Sequence, residues 1–441
     1  MCYYNCIKPM SKIEPRTLKG FRDFLPSEQI GRQKFMGIIR ASYETFGFEP
    51  LETPALEYAD ILTGKYGDEG DKLMYRFKDN GDRDVALRYD LTIPLARVAA
   101  QYDNDLKKPF KRYQMSPVWR AENTQKGRFR EFYQCDADIV GTNSPLADAE
   151  ILALSASTLQ KLGIAASDFV IRVNSRGIIS SFYNALGFTL EQQVSAMRAV
   201  DKIDKIGAEG VVEELARSGF DPKDTMAIVN FAKNRIADLK DLPTTVSLFP
   251  EVAGALGSLA DIVRSALILA PGTTFVIDFS IARGLDYYTG LIFETNLVKA
   301  PQFGSVMSGG RYDNLIGTFS NRPLPAVGTS IGLDRLLAAL EELGVAKPEK
   351  TTAKALIVNF GEEFAPEYLR IAGELRAAGI NTVLYFDAVD LKKQLSYASD
   401  KGIKFALMYG ANEKKDGMVV VKDLEKGTQE KVKVGDLANS I

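Results

Sequence analysis

Residues 110–120 and 131–140 alternate apolar and polar side chains and read as two antiparallel strands. The connection between them is long and charged. A hairpin of this kind suits a site that closes over a ligand. From Lys107 to Arg130 the chain carries Lys107, Lys108, Lys111, Arg112, Arg120, Lys126, Arg128 and Arg130, against Glu122 alone. Phe110, Tyr113, Trp119, Phe129, Phe132 and Tyr133 interleave with these charges in a strand-like pattern, which argues against a solvated helix face. Such an island can neutralise phosphates even though the whole chain has a net charge of −2.

A second run, Ala282-Arg283-Gly284-Leu285-Asp286-Tyr287-Tyr288-Thr289-Gly290, sets one cation beside a carboxylate and two tyrosines. Together the two runs suit a polyphosphate bound beside a small polar molecule. The 441 residues include no histidine, which excludes an imidazole base and any histidine metal ligand. Cys2, Cys6 and Cys135 are too few for a disulfide framework and point to a reducing cytoplasm. Cys2 and Cys6 have no further ligands to complete a zinc site. No apolar run approaches the ~20 residues that span a bilayer. The first fifteen residues lack the apolar stretch of a secretory signal.

Helical spacing organises other stretches. Ile30, Phe35, Ile38, Ile39, Tyr43 and Phe46 predict a helix over 27–46, entered through Pro26 and closed by Gly47. Residues 48–56 read as a strand interrupted by Pro50 and Pro54, hence near an edge or interface. A strand over 84–90 leads to a helix over 91–102, and a helix over 147–162 to a strand over 169–173. From about 178 to 268 the pattern is helical and polar. Strands return at 274–280 and 291–296, and a strand over 325–329 feeds a helix over 330–343. The chain thus divides into a tail at 1–15, a main domain at 16–343 with its helical insertion, a linker at 344–352, and a small α/β domain at 353–441.

These runs resemble the histidyl-tRNA synthetases, a class II aminoacyl-tRNA synthetase family, over nearly the whole chain. The stretch Trp119 to Gln134 resembles class II motif 2, Gly328-Thr329-Ser330-Ile331-Gly332-Leu333-Asp334-Arg335 resembles motif 3, and Arg283 to Tyr288 resembles a signature of the histidyl enzymes. The resemblance implies an α+β fold: an antiparallel sheet with helices, a helical insertion, and a C-terminal α/β anticodon-binding domain. It also implies a cytoplasmic homodimer with no membrane association. The dimer would form through a weakly specific motif 1, here the 27–46 helix and the strand around Pro54. The implied activity joins histidine to ATP, with Mg²⁺, and transfers it to a histidine tRNA. An enzyme supplying histidyl-tRNA gains from being translatable when histidine is scarce, although drift in composition accounts equally for the missing residue type.

The same resemblance implies the site. Arg120 would grip the α-phosphate, Arg128 the terminal phosphate, and Phe132 and Arg335 the two faces of adenine. Arg283 would face the α-phosphate opposite Arg120, so that two cations meet the growing charge. Asp90, Thr92 and Gln134 would take the ammonium, with an Asp at position 90 where many bacterial relatives carry Glu. Imidazole has two distinct nitrogens, each needing a partner, and Asp138 and Tyr288 match those roles. Tyr287 belongs to the same signature, and Tyr312, in Gly309-Gly310-Arg311-Tyr312-Asp313, would wall the pocket. The ordinary alternative is that Asp136 and Asp138 merely line a strand. No metal ligand is expected from protein side chains. Two rivals remain on sequence grounds. One is a non-catalytic histidine-binding regulatory paralogue, which would generally lack the C-terminal domain and degrade the arginine signature. The other is a class II synthetase for a different amino acid, such as proline or threonine.

Overall fold

The computed structural model describes residues 13–65, 67–124, 127–282, 287–320, 322–346 and 348–441. They form two compact units, one of 13–22 with 35–346 and the other of 23–34 with 348–441. The opening helix, Pro26–Thr45, is therefore divided between them. Sequence reading placed all of it in the main domain, because a helical period does not reveal which unit buries each turn.

In chain order the first unit contains β1 (Glu49–Pro50), β2 (Leu56–Tyr58), β3 (Arg76–Lys78), β4 (Asp84–Leu87), β5 (Phe110–Trp119), β6 (Glu131–Val140), β7 (Phe169–Ser175), β8 (Arg235–Ile236), β9 (Phe275–Asp278), β10 (Leu291–Leu297), β11 (Ser305–Arg311) and β12 (Ala326–Gly332). Nine of them make one sheet in the order β1-β5-β6-β12-β11-β10-β7-β9-β8. From β5 through β7 every pairing is antiparallel. The expected strand over 48–56 is instead β1 and β2, which lie in different sheets. Pro50 and Pro54 cannot donate to a ladder, so the run breaks between them.

β11 carries no strand signal, because its Ser-Gly-Gly centre disfavours extended structure. It nevertheless runs mid-sheet. A Cβ on Gly309 would lie 2.1 Å from the Gly328 carbonyl oxygen, and one on Gly310 would lie 2.4 Å from that of Leu291. Only glycine permits this approach. β12 also extends past its expected end at 329, and the helix begins at Leu333. Ser330 is thereby a strand residue, facing β6.

The core packs one face of the sheet against helix Pro145–Lys161 and helix Ala253–Leu269. The insertion is mainly helical. Its centre stacks Phe182 on Phe231 at 3.8 Å between centroids, with Phe249 and Phe279 edge-on or tilted around them. Contrary to the sequence reading, residues Pro250–Leu269 are long and apolar enough to cross a membrane by length and composition. Here Leu256, Leu259, Ala260, Val263 and Ala266 are buried inside the protein instead.

In the second unit β13 (Ala355–Ile357), β14 (Thr382–Leu384), β15 (Phe405–Met408), β16 (Met418–Asp423) and β17 (Gln429–Lys433) form a sheet in the order β14-β13-β15-β16-β17. Its first three strands are parallel and the last pairings antiparallel. Helices Ala365–Ala377 and Leu391–Lys401 connect the parallel strands, as the alternating pattern predicts.

Candidate active site

Strand β6 organises the site. Its alternation sends Tyr133, Cys135, Ala137 and Ile139 into the core and leaves Phe132, Gln134, Asp136 and Asp138 on the other face. Across β5 these meet Val118, Ser116, Gln114 and Arg112. Across β12, Gln134, Asp136 and Asp138 meet Gly332, Ser330 and Gly328.

Cations gather at the Phe132 end. Arg120 leaves β5, donates from Nε to the Tyr89 carbonyl at 3.1 Å, and lies 4.3 Å from the Tyr89 ring centroid and 5.2 Å from that of Phe132. Arg335 donates to the Ser305 carbonyl at 2.7 Å. Burial lowers the Arg335 pKa first, and the neighbouring Arg128 and Arg120 charges lower it further. Guanidiniums this close repel one another, and a ligand with several negative charges relieves that repulsion. Arg128 is partly exposed, 3.7 Å from Glu122. The hairpin connection is braced from beneath. Asp334 accepts from the Tyr133 backbone N–H at 2.9 Å and pairs with Arg22. The Arg22 guanidinium covers the Phe129 ring at 3.5 Å. A cavity of about 340 Å³ opens here, lined by Gly20, Phe21, Thr124, Arg128 and Phe129.

The basic island is not one surface. Lys108 pairs with Asp103, and Lys111 pairs with Glu150 at 2.6 Å. Arg112 is fully buried, 2.8 Å from Asp138 Oδ2, in an ionic contact off the hydrogen-bond direction. Arg120 and Arg128 instead lie at the Phe132 end with Arg335. Lys126 lies outside the described residues, as does Arg283 with Gly284, Leu285 and Asp286.

Carboxylates gather at the other end. Asp136 and Asp138 are 2% and 3% exposed. Tyr312, buried, donates its hydroxyl to Asp138 Oδ1. The Tyr287 ring lies 5.1 Å from that of Tyr288 and 5.7 Å from that of Tyr312. Burial raises the Tyr288 pKa, and the charges of Asp138, Asp136 and Asp90 raise it further. Asp90 Oδ1 accepts from the backbone N–H groups of Thr92 and Ile93 at 3.1 and 3.0 Å, fixing the start of helix Thr92–Gln101. Gln134 donates to Ser330 Oγ at 2.8 Å, and Ser330 lies opposite Asp136 across β12 and β6, where it works against the effect of burial on the Asp136 pKa. Asp138 is likewise shifted upward by burial, against the pull of Arg112 and Tyr312.

The fold therefore brings Arg120, Arg128, Phe132 and Arg335 to one end of the sheet face, and Asp138, Tyr287, Tyr288 and Tyr312 to the other. Gln134 lies between them, and Asp90 and Thr92 stand at the start of the adjoining helix. Sequence reasoning missed two members. Arg112 was counted with the phosphate-binding charges, although its place in a strand, two residues before Gln114 in the same alternation, puts it on the face of Asp138. Ser330 was assigned to a helix.

A largely antiparallel sheet with arginines at one end of its open face and an acceptor-rich pocket at the other is the arrangement of a class II aminoacyl-tRNA synthetase. Family models match twice: histidyl-tRNA synthetase over residues 20–336 and an anticodon binding domain over 354–441. The histidine–tRNA ligase of Rhodopirellula baltica is 44% identical over 93% of this chain and 94% of its own. That of Wolinella succinogenes is 41% identical over 96% and 97%. The crystal structure of histidyl-tRNA synthetase from Nostoc sp. PCC 7120 superposes with a TM-score of 0.87 at 36% identity, covering 97% of this chain and 99% of that one. The chain belongs to the histidyl-tRNA synthetase family.

Proposed function

We infer that the chain is a histidine–tRNA ligase. It joins histidine to ATP as histidyl-adenylate, releasing pyrophosphate, and then passes the histidyl group to the 3′ end of its tRNA. The observation that carries this reading is the face of β6, where Phe132, Gln134 and Asp138 follow one another from a cluster of guanidiniums to a pocket of carboxylates and tyrosines.

Arg120 and Arg335 hold the nucleotide, with Phe132 and the Arg335 guanidinium against the two faces of adenine and Arg128 on the terminal phosphate. Arg283 opposes Arg120 at the α-phosphate. Asp90, Thr92 and Gln134 hold the ammonium, and Asp138, Tyr287, Tyr288 and Tyr312 form the imidazole pocket. Adenylate formation needs no protein base, because the attacking carboxylate is already ionised. In the transfer step the ribose hydroxyl passes its proton to the adenylate phosphate. Positioning and fixed charge carry the rate. Among the described residues no three Asp, Glu, Cys or His side chains converge to hold a metal ion. Glu122 and Glu294, whose charges act on Arg335, would be the carboxylates near an Mg²⁺ ion that is ligated mostly by phosphate and water.

The C-terminal unit reads the anticodon. Phe386 and Phe360, 86% and 41% exposed, follow the ends of β14 and β13 and offer rings for splayed bases. The enzyme works as a cytoplasmic homodimer and associates with no membrane. Its subunits meet through the opening helix and the Pro54 segment. The retained C-terminal unit, together with the family relatives, favours the ligase over the regulatory paralogue. Pyrophosphate exchange, run separately with each amino acid, tests the reading. Exchange dependent on histidine alone is the expected result, and none with any amino acid overturns it.

A further inference from the structure

The hairpin connection that carries Arg128 is tied to a distant stretch of chain, Leu18 to Arg22. Arg130, at the neck of the hairpin, makes the tie. Its carbonyl accepts from the Arg120 backbone N–H at 2.9 Å, and its own N–H donates to the Gly20 carbonyl at 2.8 Å. Its guanidinium donates to the carbonyls of Glu122 and Lys19 at 3.2 and 3.4 Å. Gly20 has a φ of +88°, and a Cβ there would lie 2.7 Å from the Arg130 side chain, so only glycine fits. Phe21 packs edge-on to Tyr75, with 6.1 Å between centroids. The next residue reaches over the connection. The Arg22 guanidinium lies 3.5 Å from the centroid of the Phe129 ring and pairs with Asp334. The other Asp334 oxygen accepts from the Tyr133 backbone N–H at 2.9 Å. One arginine thus touches both the residue after Arg128 and the residue before Arg335.

We propose that Arg22 is a positioning residue for the nucleotide, holding Phe129, and through it Arg128, in place beside Arg335. The proposal rests on the ligase reading and deepens it. Two observations support it. The charges of Arg128 and Arg120 act unfavourably on Arg335, so the connection is pushed away from that residue until an anion binds. A contact anchored on Asp334 opposes this push. The Arg22 charge is also taken up by Asp334, which leaves its flat face, rather than its charge, as the part that meets the connection. A planar guanidinium stacks on a ring where an ammonium does not.

The chain has one tryptophan, Trp119, at the end of β5 where the connection begins, and its indole N–H donates to Glu131 at 2.7 Å. Its fluorescence, with the full-length protein titrated with ATP, reads nucleotide binding without chemistry. Pyrophosphate exchange gives the KM for ATP and the KM for histidine separately. Arg22→Ala should raise the ATP KM and the titration midpoint about 5- to 30-fold, with the histidine KM within about twofold of wild type. Arg22→Lys keeps a charge opposite Asp334 but loses the flat cover, and should show the same defect. So should Phe129→Leu, and the double variant Arg22→Ala with Phe129→Leu should be no worse than the worse single change, because both break one contact. Circular dichroism confirms folding. The proposal is overturned by a folded Arg22→Ala protein with the wild-type ATP KM, by equal losses for both substrates, by full rescue with lysine, or by additive losses in the double variant. Histidine-dependent exchange in the wild type, measured first, tests the ligase reading itself; if it fails, the Trp119 titration still decides for or against Arg22.

Discussion

Gly328→Ala tests whether the carboxylate end of the sheet face binds the amino acid independently of the nucleotide end. Gly328 on β12 pairs with Asp138 on β6, and an added Cβ would stand 1.9 Å from Asp138 Oδ1 and 2.5 Å from its Cγ. Ordinary contact lies near 3.5 Å, so the carboxylate must withdraw by roughly 1.5 Å. Its surroundings resist this, because Arg112 lies 2.8 Å from Oδ2 and Tyr312 donates to Oδ1. Withdrawal breaks the Tyr312 bond and leaves a buried hydroxyl and a buried carboxylate oxygen unmatched, at a cost of about 1–3 kcal/mol. If that cost falls on the bound pocket, the histidine KM rises roughly 5- to 150-fold. Phe132 lies six positions away on the same strand. At ~3.3 Å per residue that is about 20 Å, beyond the range at which such effects usually couple. The ATP KM should therefore stay within about twofold of wild type. Pyrophosphate exchange at varied histidine and varied ATP measures both constants, with circular dichroism to confirm folding. A folded variant with the wild-type histidine KM, or with equal losses for both substrates, refutes the two-ended site.

Other changes probe the same map. Arg283→Ala should slow adenylate formation by about 10²–10³ with histidine affinity retained, since it removes one transition-state donor; exchange kinetics and equilibrium dialysis decide it, and near-normal exchange removes Arg283 from catalysis. Arg112→Met strips the buried carboxylates of their countercharge, so the thermal midpoint should fall by about 5 °C, from a loss of about 3–5 kcal/mol; an unchanged midpoint in a differential scanning experiment argues against the pair. Burial first, with Asp138 and Asp90 adding to it and Arg112 opposing, pushes the Asp136 pKa from 3.8 up to about 8. Between those values the folded state keeps a proton that the unfolded state releases, so stability falls as pH rises from about 4 to about 8, by at most roughly 1.4 kcal/mol per unit. Asp136→Asn should flatten that slope, and parallel midpoint-versus-pH curves for the two proteins would exclude it. Replacing the anticodon of the histidine tRNA should slow transfer and leave pyrophosphate exchange untouched; transfer at the normal rate would give the C-terminal unit a different role.

Much of this site is legible in the sequence because strands announce themselves by alternation. The period of two over residues 131–140 already placed Phe132, Gln134, Asp136 and Asp138 on one face, and the family motifs assigned most of their roles. What stayed hidden was pairing. Arg112 and Asp138 are far apart in sequence, and charge composition grouped Arg112 with its basic neighbours instead of with the carboxylate it meets across β5 and β6. Propensity misled at β11, where glycines stand in a central strand because neighbouring backbones leave no room for a Cβ. It misled again at Ser330, where a strand continues up to the glycine before the helix. The division of the opening helix between two units was invisible for a related reason, since an apolar period records that a face is buried but not by what.

The absence of histidine from the chain and the charge layout of its site belong to one argument. A sheet face that is cationic at one end and acidic at the other orients any molecule with the opposite polarity along its length. On the proposed assignment, ATP brings its phosphates to the guanidiniums of Arg120 and Arg128 and its adenine to that of Arg335. On the same assignment the amino acid brings its ammonium and ring to Gln134 and the carboxylates, which would turn its own carboxylate toward phosphorus. The reacting atoms are thereby aligned by the register of β5, β6 and β12, before any proton has to move. An enzyme whose rate comes from alignment and fixed charge needs no imidazole of its own. The only imidazole at such a site is then that of the substrate, and no protein side chain competes with it for the pocket that must recognise it.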